Sequence, residues 1–257
     1  MIAIDIGGTY TRYKIKEEIF VLKTEEIKLL EFLESLIKKY SPKKIAISFA
    51  GQVKNNIIYS SPNTKFKKID LSEIEKKYNI KIILENDLNC AALAESRYFG
   101  IENIVALYSG TGLGSGIIDK GKIVKGRGFG GEIGHIPYKP TPFKCSCGKN
   151  NCLEFFSSGS GIEKMSKIYN CNGFDCNKVK EEYIKALMYA VGVCFSLFDP
   201  EILVLGGGVI VNNPWIVKEV EKRKDKYIPK FNTQKIELTK LKDASLTGAE
   251  ILLKERK

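Results

Sequence analysis

Asp5-Ile6-Gly7-Gly8-Thr9 at the start of the chain and Ser109-Gly110-Thr111-Gly112-Leu113-Gly114 near its middle decide the fold. Each follows an apolar run that reads as a strand, residues 1–6 before the first and 104–108 before the second. Glycine lets the backbone turn tightly and present its N–H groups to an anion without side-chain obstruction. Read singly, each stretch is an ordinary hairpin turn. Read as a pair, they suggest two halves of one molecule gripping a polyphosphate from both sides.

Working outward from the first turn, strand and helix alternate. Residues 12–16 and 19–23 read as a hairpin around Glu17-Glu18. Residues 25–40 read as a helix with Ile27, Leu30, Leu33 and Ile37 on one face. Strands follow at 44–49 and 80–85, then a helix at 87–98. A second run of strands opens at Ile104, with a hairpin at 116–119 and 122–125 turning on Lys120-Gly121. Residues 126–161 form a long loop rich in Gly, Pro and Cys. A long apolar helix at 181–198 stops at Asp199-Pro200. A strand at 201–205 runs into Gly206-Gly207-Gly208, and a helix at 214–224, a strand at 235–238 and a helix at 245–254 close the chain.

The pattern therefore starts twice: strand, Gly turn, hairpin, helix, strand. It predicts an α/β fold, a two-lobed, actin-like or hexokinase-like (ribonuclease H-like) ATPase clamp with an interdomain cleft. A small lobe of residues 1–103 plus 245–257 would carry the first turn, and a large lobe of 104–244 the second. A lone Rossmann domain fits less well, because a hairpin and not a helix follows Gly7-Gly8.

At 257 residues, 44% hydrophobic and 28% charged, the chain is that of a soluble globular protein. No apolar run approaches the roughly 20 residues that span a bilayer, and the first residues lack the basic, apolar layout of a signal peptide. A cytoplasmic location is expected. The net charge of +11 comes from lysines spread along the chain among glutamates, as in Lys218-Glu219-Val220-Glu221-Lys222, so no nucleic-acid partner is expected. With only two glutamines, the Lys, Glu and Ile richness is that of a thermophile.

Glu85-Asn86-Asp87 lies where a strand ends and a helix begins. Asp87 is placed to cap that helix. It is equally placed to be a general base at the carboxyl end of a strand, taking a hydroxyl proton during phosphoryl transfer. Asn86 would serve a neighbouring hydroxyl.

His135 is the only histidine, and Cys145-Ser146-Cys147-Gly148-Lys149-Asn150-Asn151-Cys152 follows. Three thiols and one imidazole make a closed tetrahedral set for structural Zn²⁺; a disulfide or plain packing cysteines are the alternatives. Glu132 and Glu154 flank these ligands and could be held rigidly as acceptors for hydroxyl groups. Cys90, Cys171, Cys176 and Cys194 read as packing residues, with a Cys171–Cys176 pair open to oxidation.

Taken together, these stretches resemble the ROK family (repressor, open reading frame, kinase) of sugar kinases and sugar-responsive repressors. The likeness runs nearly end to end. It includes Asp5–Thr9, Ala50-Gly51-Gln52-Val53, Glu85 through Glu95, Ser109–Gly114, Gly131-Glu132-Ile133-Gly134-His135 with the cysteine stretch, Leu205–Gly208 and Leu246-Thr247-Gly248-Ala249. Asn151 stands where the family has Gly before the third cysteine. Asn tolerates positive φ, so that turn is expected to persist. Phe156-Ser157-Ser158-Gly159-Ser160 departs slightly from the family form.

The resemblance implies ATP-dependent phosphorylation of a hexose at its 6-hydroxyl, glucose first. N-acetylmannosamine or fructose are acceptors within the same class. It implies Asp87 as the base and Gly51, Asn86, Glu132, His135 and Glu154 as sugar ligands. Asp5, Gly7, Gly8, Thr9, Thr11, Gly110, Thr111, Gly112, Gly206, Gly207 and Gly208 would serve ATP and its Mg²⁺, and His135, Cys145, Cys147 and Cys152 would hold Zn²⁺. A homodimer is implied by analogy. The rival from another class is a sugar-sensing regulator, whose DNA-binding module would precede a motif that here begins at residue 5.

Overall fold

The computed structural model describes residues 1–61, 64–233 and 235–255. Its contacts divide the chain into two units, Met1–Ala94 with Lys125–Phe129 and Asp243–Lys257, and Glu95–Val124 with Gly130–Lys242. Arg256 and Lys257, at the end of the expected small lobe, lie outside the described residues.

The first unit opens with the strands β1 (Ile2–Ile6), β2 (Tyr10–Ile15) and β3 (Glu18–Lys23), then helix α1 (Leu29–Tyr40) and strand β4 (Lys44–Phe49). Three short strands follow, β5 (Gln52–Lys54), β6 (Ile57–Ser60) and β7 (Ile69–Asp70), then α2 (Ser72–Tyr78), β8 (Lys81–Asn86) and α3 (Asp87–Phe99). The main sheet runs β3-β2-β1-β4-β8, antiparallel through the hairpin and parallel from β1 onward. Period-two alternation divides its faces. Ile2, Ile4 and Ile6, with Ile45, Ile47 and Phe49, pack into a core with Leu33, Leu36 and Ile37 of α1. The other face carries the small pair Ala3 and Ala46, in register.

Two expectations need correcting here. Helix α1 starts at Leu29 and not at residue 25, because Thr24–Glu26 is a separate 3-10 turn. The Thr24 hydroxyl donates to the Gly7 carbonyl at 2.8 Å, and its N–H to the Thr9 carbonyl at 2.9 Å, so tertiary bonds hold the chain there before the helix begins. Leu30 is exposed, and Leu29 takes its place in the core. The strands β5–β7 and helix α2 escaped the sequence reading because each is too short to show a period.

The second unit carries β9 (Ile104–Ser109), β10 (Leu113–Asp119), β11 (Lys122–Ile123), α4 (Gly159–Tyr169), α5 (Asn177–Phe198), β12 (Ile202–Gly206), α6 (Gly208–Val211), α7 (Trp215–Arg223) and β13 (Ile236–Leu238). Its sheet runs β11-β10-β9-β12-β13. This repeats the order of the first sheet: a three-stranded antiparallel hairpin set, then two strands joined in parallel. The expected duplication is thus one of topology. Val105, Leu107, Leu203 and Leu205 face α5, whose Val179, Tyr183, Ile184 and Leu187 are buried against them. Helix α5 ends at Asp199 in the left-handed region, before Pro200, as expected. The last helix, α8 (Ala244–Glu255), returns to the first unit and packs on β1 and β4. The small residues of that sheet face admit it closely. A Cβ at Gly248 would collide with the Cys90 carbonyl.

Candidate active site

The parallel register of the first sheet sets Asp5, Ser48 and Glu85 in one row on β1, β4 and β8, and Arg12 of β2 stands opposite Asp5. The row lies toward the carboxyl ends of the parallel strands, where α/β sheets present their chemistry. Ser48 Oγ donates to Asp5 Oδ1 at 2.8 Å. Arg12 Nη1 stands 3.9 Å from Asp5 Oδ2, and Arg12 Nε stands 3.4 Å from Asp243 Oδ1. Burial dominates and raises the Asp5 pKa to about 6. The Ser48 bond and the Arg12 charge pull the other way, and Asp243 adds to the rise.

Gly7, Gly8 and Thr9 form the β1–β2 turn, closed by the Gly7 N–H on the Tyr10 carbonyl at 3.0 Å. Gly8 and Thr9 are exposed at its tip. Thr11, expected with them as a cofactor residue, is buried, and its hydroxyl meets that of Thr24 at 3.0 Å. It braces the turn from behind.

At the β8–α3 junction Asn86, and not Asp87, supplies the cap. Asn86 Oδ1 accepts from the N–H groups of Leu88 at 2.9 Å and Asn89 at 3.2 Å. Asn86 Nδ2 donates to the Gly51 carbonyl at 3.1 Å, which brings two of the expected sugar residues together. Asp87 is the first residue of α3, and its carbonyl accepts from Ser245 Oγ of α8 at 3.2 Å. Glu85 is buried, and its carboxylate pairs with Lys125.

In the second unit the Ser109–Gly114 turn joins β9 to β10. The Gly110 N–H donates to Gly112 O at 2.9 Å, while Gly110 O and Thr111 O accept from the N–H groups of Gly159 and Ser160 at the start of α4. Ser158 caps that helix through Gly161 N–H, so the departure from the family form leaves the helix start intact. Beneath the turn, Tyr183 donates to Ser109 Oγ at 2.9 Å. Gly207 has φ of 85° and would bring a Cβ against Ser109, so glycine is required there. Gly206 lies against the Tyr108 ring.

Glu154 ties this turn to the cysteine loop: its Oε2 accepts from the Leu113 N–H at 3.0 Å. Glu132 is near enough to feel it. Burial holds the Glu132 pKa above the usual carboxylate range; His135 opposes the rise and Glu154 adds to it. His135 Nε2 lies 3.8 Å from Glu132 Oε2, while His135 Nδ1 lies 3.4 Å from Cys145 Sγ.

The ligand atoms of His135, Cys145, Cys147 and Cys152 all lie within 4.8 Å of one another, and Cys147 Sγ stands 3.3 Å from Cys152 Sγ. Bonds of about 2.3 Å to a tetrahedral zinc set sulfurs roughly 3.7 Å apart, so these residues fit the ion. The loop is shaped by its backbone. Cys145 N–H donates to Lys149 O at 2.7 Å, Gly148 takes φ of 90°, and Pro137 bridges to Cys152. Asn151 does not take the left-handed conformation expected for it. Its carbonyl instead accepts the Tyr138 N–H at 2.7 Å, and Gly148 makes the turn. Cys90 and Cys194 are buried packing residues, and Cys171 and Cys176 are thiols in contact with each other.

Sequence reasoning passed over Ser48, Arg12, Lys125 and any role for Glu85. Period two already aligned Ser48 with Ala46 on the inner face of its strand. Only the pairing of β1, β4 and β8 set it beside Asp5.

The model of the ROK family matches residues 1–256. A glucokinase of Thermotoga maritima is 28% identical over all of this chain and 98% of its own length. The ROK hexokinase of Thermus thermophilus superposes with a TM-score of 0.84, at 22% identity and 99% coverage of both chains. The ROK family glucokinase of Streptomyces griseus, crystallised with glucose and AMPPNP, superposes with a TM-score of 0.78, at 22% identity and 98% coverage of both.

Proposed function

The chain belongs to the ROK family, and we propose that it is a sugar kinase transferring the γ-phosphoryl group of ATP to the 6-hydroxyl of a hexose, glucose first. N-acetylmannosamine and fructose are the next acceptors on this reading. The full-length likeness to a Thermotoga glucokinase supports it.

The observation that carries it is the division of labour on His135. One ring nitrogen faces the thiols, and the other faces Glu132. A zinc held by His135, Cys145, Cys147 and Cys152 is structural: it would fix the ring, and with it Glu132 and Glu154, as acceptors for sugar hydroxyls. Asn86 and the Gly51 carbonyl, already bonded to each other, are further sugar residues. The turns at Gly7–Thr9 and Gly110–Gly112, with Gly206–Gly208, serve the nucleotide through backbone N–H groups.

Asp87 is the general base. It takes the proton of the 6-hydroxyl as that oxygen attacks the γ-phosphorus in line, and the leaving oxygen stays on ADP. Asp5 fits Mg²⁺ through a bound water. The burial cost that raises its pKa is a cost a divalent cation would offset. The ion supplies charge neutralisation at the phosphates. A cytoplasmic homodimer completes the reading.

The test is ADP release with ATP and Mg²⁺ over glucose, mannose, fructose, glucosamine, N-acetylglucosamine and N-acetylmannosamine. Turnover of a hexose, with glucose giving the highest kcat/KM, supports the proposal. Folded, zinc-loaded protein that turns over none of them overturns it.

A further inference from the structure

Glu85 is the residue of the Glu85-Asn86-Asp87 segment to which the proposed reaction gives no part, yet it is nearly inaccessible, with 3% of its surface exposed. Both carboxylate oxygens are engaged. Oε1 accepts from Asn89 Nδ2 at 2.9 Å and from the Asn86 N–H at 3.2 Å, and Oε2 accepts from Lys125 Nζ. Glu85 thus grips the same turn that Asn86 caps, the turn that carries Asp87. Lys125 reaches it from the segment Lys125–Phe129, which packs with the first unit although the chain on either side of it belongs to the second. Phe129 lies against Tyr59, with ring centroids 5.9 Å apart, and Gly128 lies against the Lys54 side chain, so the segment is seated and Lys125 is aimed.

A buried carboxylate that loses its counter-charge pulls water and backbone toward itself. On Glu85 that uncompensated charge would stand two residues from Asp87 in the chain. Such a change moves the turn.

We propose that Lys125 is a positioning residue for phosphoryl transfer, acting through Glu85: its ammonium holds that carboxylate in place, so that the Asn86–Asn89 turn holds Asp87 on the acceptor hydroxyl. The proposal rests on the reading of Asp87 as the base. Lys125 touches neither substrate nor nucleotide in this role, so its loss acts on kcat and leaves sugar affinity nearly alone.

The experiment compares the unaltered chain with Lys125→Met, Glu85→Gln and the double variant. It uses glucose and ATP kinetics together with amide hydrogen exchange of peptides covering residues 86–92. Lys125→Met should lower kcat about a hundredfold, the scale of a small misplacement of a reacting group, while the KM for glucose stays within about threefold. The double variant removes the uncompensated charge and keeps an acceptor for Asn89, so it should recover at least about tenfold of the lost kcat. Exchange at 86–92 should quicken in Lys125→Met and return in the double variant. A merely structural lysine would move the KM and overall stability along with kcat, so a loss confined to kcat marks the positioning role.

The proposal is overturned if Lys125→Met keeps kcat within about threefold of the unaltered chain, or if the double variant is no faster and no better folded than Lys125→Met. If the unaltered chain phosphorylates no hexose, the kinase reading fails and the exchange data decide the positioning claim. Unchanged exchange at 86–92 in Lys125→Met then overturns it, and quickened exchange restored in the double variant upholds it.

Discussion

Ser48 donates its hydroxyl to Asp5 Oδ1 at 2.8 Å across the parallel pair β4–β1, and Arg12 approaches the other carboxylate oxygen from β2. These contacts offset only part of the cost of burying Asp5, whose pKa stands at about 6 against an ordinary 3.8. A folded-state pKa above the unfolded one means that the native protein binds the extra proton. Stability from this group is therefore greatest at low pH and falls as pH rises from about 4 to about 6, after which the full cost is present. The gap corresponds to about 3 kcal/mol at most.

Asp5→Asn should therefore stabilise the metal-free protein at pH 7, by roughly 5 °C in thermal midpoint, and abolish Mg²⁺-dependent turnover. The midpoint difference between variant and parent should grow from pH 4 to pH 6.5 and then level off. A variant less stable than the parent at pH 7 contradicts the burial argument.

Asp87→Asn should fold and bind glucose like the parent, because the side chain that caps α3 belongs to Asn86. Its kcat should fall by about 10² to 10⁴, the range of a lost general base. Calorimetric glucose binding beside steady-state kinetics measures both. Parental kcat would remove Asp87 from the mechanism.

Gly112 and Glu154 join the turn proposed for the nucleotide to a residue proposed for the sugar. A Cβ at Gly112 would fall 2.5 Å from Glu154 Oε2, displacing the carboxylate from the Leu113 N–H. Gly112→Ala should therefore raise the KM for the sugar as well as for ATP, each by about tenfold, the effect of one lost charge-assisted hydrogen bond. A change confined to ATP would show that Glu154 does not bridge the two functions.

Cys147→Ser should halve neither site directly, since the thiol is proposed to hold only zinc. The loop from His135 to Cys152 loses its pin, however, and zinc content measured by metal analysis should drop. The thermal midpoint should fall, and glucose affinity should weaken by about 10-fold to 100-fold through the freed His135. Parental zinc content and glucose affinity together would rule out the four-ligand site.

Much of the site was legible in the chain because its parts are local. The Gly7–Thr9 and Gly110–Gly112 turns, the Asn86-Asp87 junction and the Cys145–Cys152 spacing each fall within a few residues, where turn and cap chemistry operate. Reading failed where a neighbour distant in sequence decides. The contact between the Thr11 and Thr24 hydroxyls could be read from neither stretch alone. Asp87 looked like a cap until Asn86 was seen to take that part. Helix α1 looked longer until Gly7 and Thr9 were found holding Thr24.

By itself the sequence determined most of the order of strands and helices, with β5–β7 and α2 left out, the repeated strand–turn–hairpin start, the two glycine turns and the grouping of His135 with Cys145, Cys147 and Cys152. These follow from side-chain periodicity and from backbone freedom at glycine, which act over one or two turns of chain. The tertiary structure alone decided that Arg12, Asp5, Ser48 and Glu85 share a row, that Lys125 closes on Glu85, and that Glu154 reaches the Leu113 N–H. Those relationships depend on strand register and on where a loop is seated. Both are set by the packing of whole sheets, and no short stretch of sequence contains them.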